Sequence, residues 1–289
     1  MSRGKSRATE GTPTQAKRWD WPARAAMPAL PPGEAHVWVA SLERPPGEMR
    51  NLWETLSVGE RERAKRCRSA RKRQRFVAGR AMLRALLGHY LARPPASVAL
   101  AYTPRGKPHL APDERLDAAG TALHFNLSHA EDTVLYAFAR GRQLGIDIER
   151  IRPSPAHRAI AGRFFAPDEV QRLETAPREG FTAAFVACWV RKEACLKAVG
   201  AGLALPMREV VVPTRRIEGS AFGIELPGFE GPRRWTGHDL AGLNGYAASL
   251  VMEGDVLRIS RWEWACPPGA SGAATPLGSC RASSSVRSP

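Results

Sequence analysis

Two carboxylates stand two residues apart in LGIDIER, residues 144–150. In a strand, positions i and i+2 face the same way. Asp147 and Glu149 therefore share one side, and Ile146 and Ile148 take the core side. Carboxylates about 7 Å apart along a strand can share one hard cation, because Mg²⁺ takes oxygen ligands and keeps water in its remaining positions. The same alternation is what any half-buried strand shows to solvent, so a second element must decide. WVRKEACLK, residues 189–197, supplies one. Trp189, Glu193 and Lys197 are spaced by four and share a helix face. As a surface pair, Glu193 and Lys197 would stabilise a helix by about 0.3–0.5 kcal/mol. Phe181, Phe185 and Trp189 instead set this stripe beside the core, where a glutamate needs a partner: a metal, a lysine, or both.

HFNLSH, residues 124–129, ends an apolar strand on Ser128 and His129. A hydroxyl and an imidazole there can donate hydrogen bonds to a phosphate; a strand running into a turn with a solvated histidine reads the same way. A Ser-His-Asp hydrolase is disfavoured, because no G-x-S-x-G elbow surrounds Ser128 and adjacent Ser-His cannot form the required pair. Residues 61–75 carry nine Lys or Arg against one acid, Glu62. Much of that run is a solvated helix face, and Arg63 and Arg75 are its candidate phosphate contacts. Lys107 sits in the turn R-G-K-P, from which a lysine can reach a ligand.

The elements that must hold these residues are legible in part. HVWVASL (36–42) alternates as a strand. Helices are expected over about 58–69 and 71–92, ended by Pro94-Pro95, with a strand at 97–103. Residues 124–129, 133–140 and 144–150 read as an antiparallel meander. APDEVQRLE (166–174) opens with proline and acids, which suits a helix start, and residues 180–200 form a helix stopped by Gly200. Five strand candidates follow: REVVVP, FGIEL, RRWTGHDL, YAASLVME and VLRISRWEW. Each half runs helices and then strands, which favours an α+β fold over a doubly wound sheet.

The chain has 289 residues and 43% of them are hydrophobic, enough for a sizeable core. Its net charge of +15 calls for anionic partners without choosing among nucleic acid, membrane surfaces, phosphorylated small molecules and acidic proteins. The five cysteines share no C-x-x-C spacing, so neither a disulfide framework nor a zinc site is expected, and a reducing cytoplasm fits. The first residues lack the apolar stretch of a signal peptide, and no run is long enough to cross a membrane. Composition reads residues 1–34 as a flexible N-terminal arm and 266–289 as a disordered tail. Between them an N-terminal subdomain, 35–143, and a C-terminal subdomain, 144–265, are expected.

Taken together, RFVAGRAMLR, RGKP, FNLSH, GIDIE, RFFAPDEV and WVRKEACLKAVGAGLALP resemble the 4′-phosphopantetheinyl transferase superfamily, in its long, single-chain, surfactin-synthetase-activating type. They occur in family order across nearly all of the body. The resemblance implies a pseudo-twofold α+β fold of two similar subdomains, with coenzyme A and Mg²⁺ in the cleft between them. It implies transfer of the phosphopantetheine arm to a serine of an acyl or peptidyl carrier protein. It makes Asp147, Glu149 and Glu193 the metal acids, Glu193 also the base, and Lys197 a pyrophosphate contact. Ser128, His129, Lys107, Arg63 and Arg75 become coenzyme A contacts. It also implies a monomer that needs no nucleic acid or membrane. Cys195 stands where an aromatic is common, Cys67 near where Phe often follows the basic run, and Glu60 where a basic contact can occur. The carrier is expected near residues 200–215, with Leu203, Leu205 and Met207 either touching it or packing the second subdomain. A nucleic-acid-binding protein and a Mg²⁺-dependent phosphohydrolase are the competing readings.

Overall fold

The structure, a computed structural model, describes residues 17–19, 29–103, 106–111, 121–175, 177, 179–200, 205–215, 221–224, 234–265 and 279–287. The strands are β1 (Lys17–Trp19), β2 (Glu34–Ser41), β3 (Leu100–Tyr102), β4 (Pro108–Leu110), β5 (Leu123–Ala130), β6 (Thr133–Arg140), β7 (Leu144–Arg150), β8 (Ala221–Ile224), β9 (Trp235–Asp239), β10 (Tyr246–Glu253), β11 (Arg258–Ala265) and β12 (Ser279–Arg287). The α-helices are α1 (Pro46–Thr55), α2 (Val58–Lys65), α3 (Ala70–Tyr90), α4 (Ala156–Phe164), α5 (Pro167–Glu174) and α6 (Phe181–Val199).

The fold is α+β with a pseudo-twofold plan. One sheet runs β1-β12-β11-β2-β6-β5, a second runs β7-β10-β9-β8, and β3-β4 form a separate ribbon. Ala35, Val37, Leu135, Ala137, Ile146, Ile148, Leu250 and Met252 fill one apolar layer shared by the two sheets. On the first sheet α3 lays Met82, Leu83, Leu86 and Leu87 over Trp38, Tyr136 and Phe138. On the second, α6 packs Phe185, Cys188, Val190 and Cys195 among Phe165, Phe222, Trp235 and Val251. Each sheet thus buries one face on helices and the other on its counterpart.

Local chemistry fixes the helix ends. Ser57 and Glu60 form a reciprocal capping box that starts α2, and the Ser69 hydroxyl accepts from the Lys72 amide at the start of α3. Helix α6 stops at Gly200, whose φ of 72° is in the left-handed region.

Three expectations change. Strand β7 is not the third strand of a meander: it pairs antiparallel with β10 in the second sheet, while β5 and β6 keep their hairpin. Residues 144–148 are buried throughout, with Ile146 and Ile148 in the layer shared by the two sheets and Gly145 against α6. REVVVP (208–213) is not a strand: its first two residues close a 3₁₀ turn, Met207–Glu209, and the rest is irregular. Helices α1 and α4 were not anticipated; α1 starts on two prolines after Arg44, a signal that composition alone reads as loop. Lys17–Trp19 and Ser279–Arg287 pair as strands beyond β11. Strand β11 itself lies parallel to β2 in the first sheet, so a cut between residues 143 and 144 does not separate the two sheets.

Candidate active site

The site lies on the seam where β5 and β7, each an edge strand of its sheet, meet beneath α6. The seam is tied by side chains, not by a ladder: the Ile146 amide donates to Asn126 Oδ1 at 3.2 Å. Two features let α6 come close. Gly145 faces the helix backbone, and a Cβ there would fall against Ala194 O and Ala198 N, so only glycine permits the approach. Phe165, Phe185 and Trp189 then stack along the outer side of the helix.

This packing joins three predicted residues directly. The Ser128 hydroxyl donates to Asp147 Oδ1 at 2.7 Å. Lys197 Nζ donates to the same oxygen at 2.6 Å and to Ser128 Oγ at 3.0 Å. Asp147 does not face solvent as strand alternation predicted; it is only 4% exposed, because Ser128 and Lys197 satisfy one of its oxygens in the seam. Its Oδ2 is buried without a hydrogen-bond partner, a costly condition that a cation relieves.

Glu193 is half-buried one turn before Lys197. Burial, and then the Asp147 carboxylate, hold its carboxyl above the usual carboxylate range, with Lys197 opposing. Glu149 is exposed at the end of β7. Its carboxyl is also raised, by lost solvation first and then by Asp147, with a further contribution from Glu193. The three acids thus repel one another, as carboxylates sharing a site do. Among the described residues no three acid, imidazole or thiol groups close into a metal cage. An open set of carboxylates with one orphaned oxygen nevertheless suits Mg²⁺, which binds through one or two carboxylates and keeps its waters.

Cations ring this core. Lys107 Nζ donates to the backbone carbonyl of Lys197 at 2.7 Å, at the C-terminal end of α6. Burial and the Lys197 ammonium lower its pKa to about 8. His129 is exposed, yet lost solvation, Lys197 and Arg75 hold its imidazole below the usual range, with Asp147 opposing. Arg75 is bound to Asp132, with Nε 2.5 Å from Oδ1. Arg63 lies over the rings of Phe76 and Tyr102 at 5.4 and 6.0 Å and beside the Gly106 turn that carries Lys107.

The departures in sequence turn out to be packing choices. Glu60 is buried and bound by Arg84 Nε at 2.5 Å and by the Tyr102 hydroxyl at 2.9 Å. Cys195 is fully buried in the α6 core, and the Cys67 thiol donates to the Arg63 carbonyl at 3.7 Å. Of the expected carrier contacts, Leu203 lies outside the described residues, Leu205 belongs to the core, and Met207 packs against that core while half-exposed.

Sequence reasoning missed Lys192, the neighbour of Glu193. It is fully buried and paired with the equally buried Glu169 at 2.7 Å. Lys192 Nζ also donates to the Met207 and Val210 carbonyls, and Glu169 accepts from the Val212 amide at 2.9 Å. The pair straps the segment after α6 to the helix that carries Glu193. The acidic residue at 169 was visible as a helix-start signal; its burial was not.

Among the described residues no helix is long and apolar enough to cross a membrane. Residues 143–251 match the family description "4′-phosphopantetheinyl transferase superfamily", and residues 44–140 match "4′-phosphopantetheinyl transferase, N-terminal". The chain is 42% identical over 171 residues to 4′-phosphopantetheinyl transferase HetI of a Nostoc species, an alignment covering 59% of this chain and 70% of that protein. It is 32% identical over 177 residues to 4′-phosphopantetheinyl transferase psf-1 of Bacillus pumilus, covering 61% of this chain and 71% of that one. With both halves matched and the acids, Lys197 and Ser128 gathered on one seam, the chain belongs to the 4′-phosphopantetheinyl transferase superfamily.

Proposed function

We propose that this protein transfers the 4′-phosphopantetheine group of coenzyme A to a serine of an acyl or peptidyl carrier domain, with Mg²⁺, and releases adenosine 3′,5′-bisphosphate. The observation that carries this reading is the convergence of Asp147, Glu149 and Glu193 beside Lys197. It accounts for acids at the centre of a basic chain: a metal needs the carboxylates, and a diphosphate needs the surrounding cations.

Mg²⁺ held by Asp147, Glu149 and Glu193 would supply charge neutralisation at the diphosphate and polarise the phosphorus under attack. Glu193, with its raised pKa, accepts the proton of the incoming serine. The serine oxygen forms the new P–O bond, the bond to the bridging oxygen breaks, and the bisphosphate leaves with that electron pair. Lys197 offsets charge on the leaving group, and Ser128 holds Asp147 in place by its hydroxyl. His129, Lys107, Arg63 and Arg75 bind the phosphates of the nucleotide half. Both sides of the seam come from one chain, so a monomer is the working unit. The deciding experiment is a mass spectrum of an apo carrier with coenzyme A and Mg²⁺, with and without this protein. A gain of about 340 Da on the carrier serine identifies covalent arm transfer; release of free phosphate with no carrier adduct defeats it.

Two further results follow from the rim. His129→Ala raises the KM for coenzyme A more than that for dephospho-coenzyme A; equal increases mean that His129 does not read the 3′-phosphate. Lys107 is charged below pH about 8 and neutral above it in the free protein. Because kcat/KM reports the free enzyme, kcat/KM for coenzyme A declines as pH rises through that value. In Lys107→Arg the decline disappears, since a guanidinium keeps its charge. A decline that persists in the variant assigns it to another group.

A further inference from the structure

Ser128 and His129 are followed at once by a two-residue turn, Glu131-Asp132, that joins β5 to β6 through the pair Ala130 and Thr133. Glu131 adopts φ +52°, and among the described residues Ala92 is the other non-glycine residue in that region. Such backbone favours glycine, so a glutamate there is held by what its side chain binds. Its carboxylate takes Arg152, accepts from the Tyr246 hydroxyl at 3.1 Å, and lies 4.0 Å from Arg150 Nε. The Arg150 guanidinium itself stacks 4.8 Å from the Tyr246 ring centre. Asp132 faces the other way. It takes Arg71 at 2.7 Å and Arg75 at 2.5 Å, both from the start of α3.

One turn therefore holds two elements at once. Asp132 grips the first helical layer, and Glu131 grips the end of β7, which carries Asp147 and Glu149. Among the described residues these acids make no hydrogen bond or ion pair with Asp147, Glu149, Glu193 or Lys197. Their partners are four arginines: Arg71 and Arg75 at the start of α3, and Arg150 and Arg152 at and just past the end of β7.

We infer that Glu131 and Asp132 are positioning residues: a two-acid clip that sets where the nucleotide-gripping residues, His129 and Arg75, stand relative to the end of β7. This rests on the transferase reading above. The clip acts on coenzyme A binding, because Asp132 holds the Arg75 guanidinium and the turn begins two residues after His129, while Glu193 lies on α6. Its ion pairs are partly open to solvent, with the Glu131 and Asp132 side chains 36% and 24% exposed, so salt weakens them.

The test separates positioning from simple stability. Glu131→Gly removes the carboxylate and gives the turn the residue its backbone favours. Thermal melting then stays within roughly 2 °C of wild type or rises, while the KM for coenzyme A increases about fivefold and kcat changes by less than about twofold. Asp132→Asn moves KM in the same direction, and Asp132→Glu restores part of it. In wild type, added salt raises the KM for coenzyme A more steeply than in Glu131→Gly. A KM unchanged in both Glu131→Gly and Asp132→Asn, with folding intact, overturns the clip. A wild-type protein that gives no carrier adduct fails the transferase reading first, in the mass spectrum, and the clip falls with it.

Discussion

The Glu193→Ala protein labels an apo carrier at least ~100-fold more slowly than wild type, because it loses the base for the incoming serine and one metal acid together. The Asp147→Ala protein suffers a loss of the same order. It removes the carboxylate that Lys197 and Ser128 both bind and whose second oxygen has no hydrogen-bond partner. Both variants stay folded. Glu193 is half-buried on a helix whose apolar stripe is intact, and the cavity left at Asp147 is polar and admits water. Initial rates of carrier labelling at saturating coenzyme A and Mg²⁺ decide the matter, with a melting curve as the control for folding. Near-normal labelling by either variant removes the metal-site assignment.

The second large effect is on stability. Lys192→Ala leaves the Glu169 carboxylate buried without its counter-charge, and strips the donor from the Met207 and Val210 carbonyls. Breaking a fully enclosed pair in this way costs about 3–5 kcal/mol, which lowers the melting temperature by roughly 10 °C for a protein of this size. Exposed Lys65→Ala, whose partner Glu62 is also exposed, changes stability by less than about 1 kcal/mol. Urea unfolding of the two variants side by side checks the contrast. If Lys192→Ala unfolds at nearly the wild-type midpoint, water reaches Glu169 and the pair is not the strap described here.

The site was more legible than the route by which it is assembled. Spacing of four along WVRKEACLK placed Glu193 and Lys197 on one helix face, and period two along GIDIE placed Asp147 with Glu149, because both periods are properties of the backbone. What lay beyond those periods was tertiary. Strand β7 reads as a continuation of the β5–β6 hairpin, since the gap between β6 and β7 is short. Its partner in the other sheet, β10, lies far along the chain, so no local pattern announces the pairing. Alternation said that Asp147 faces water; the neighbouring edge strand turned that side into an interior. The need for glycine at 145 comes from α6, which closes on it only in the fold. Lys192 and Glu193 are consecutive and both charged, yet one is enclosed by the segment 207–212 and the other opens on the seam. Nothing in a sequence window tells them apart, because the enclosing segment is remote in the chain.

One feature of the first sheet bears on how the molecule is made. Strand β11 lies parallel to β2, with Ile259 opposite Ala35 and Trp262 opposite Trp38, so residues 42–257 must emerge from the ribosome before that pairing can form. Trp38 stacks on Trp262 at 5.0 Å between ring centres, and until translation delivers the later indole the earlier one is left without it. A nascent chain stalled ahead of residue 258 thus carries an unpaired, aromatic sheet edge, the kind of surface that chaperones bind and that sets a slow, late step in biogenesis.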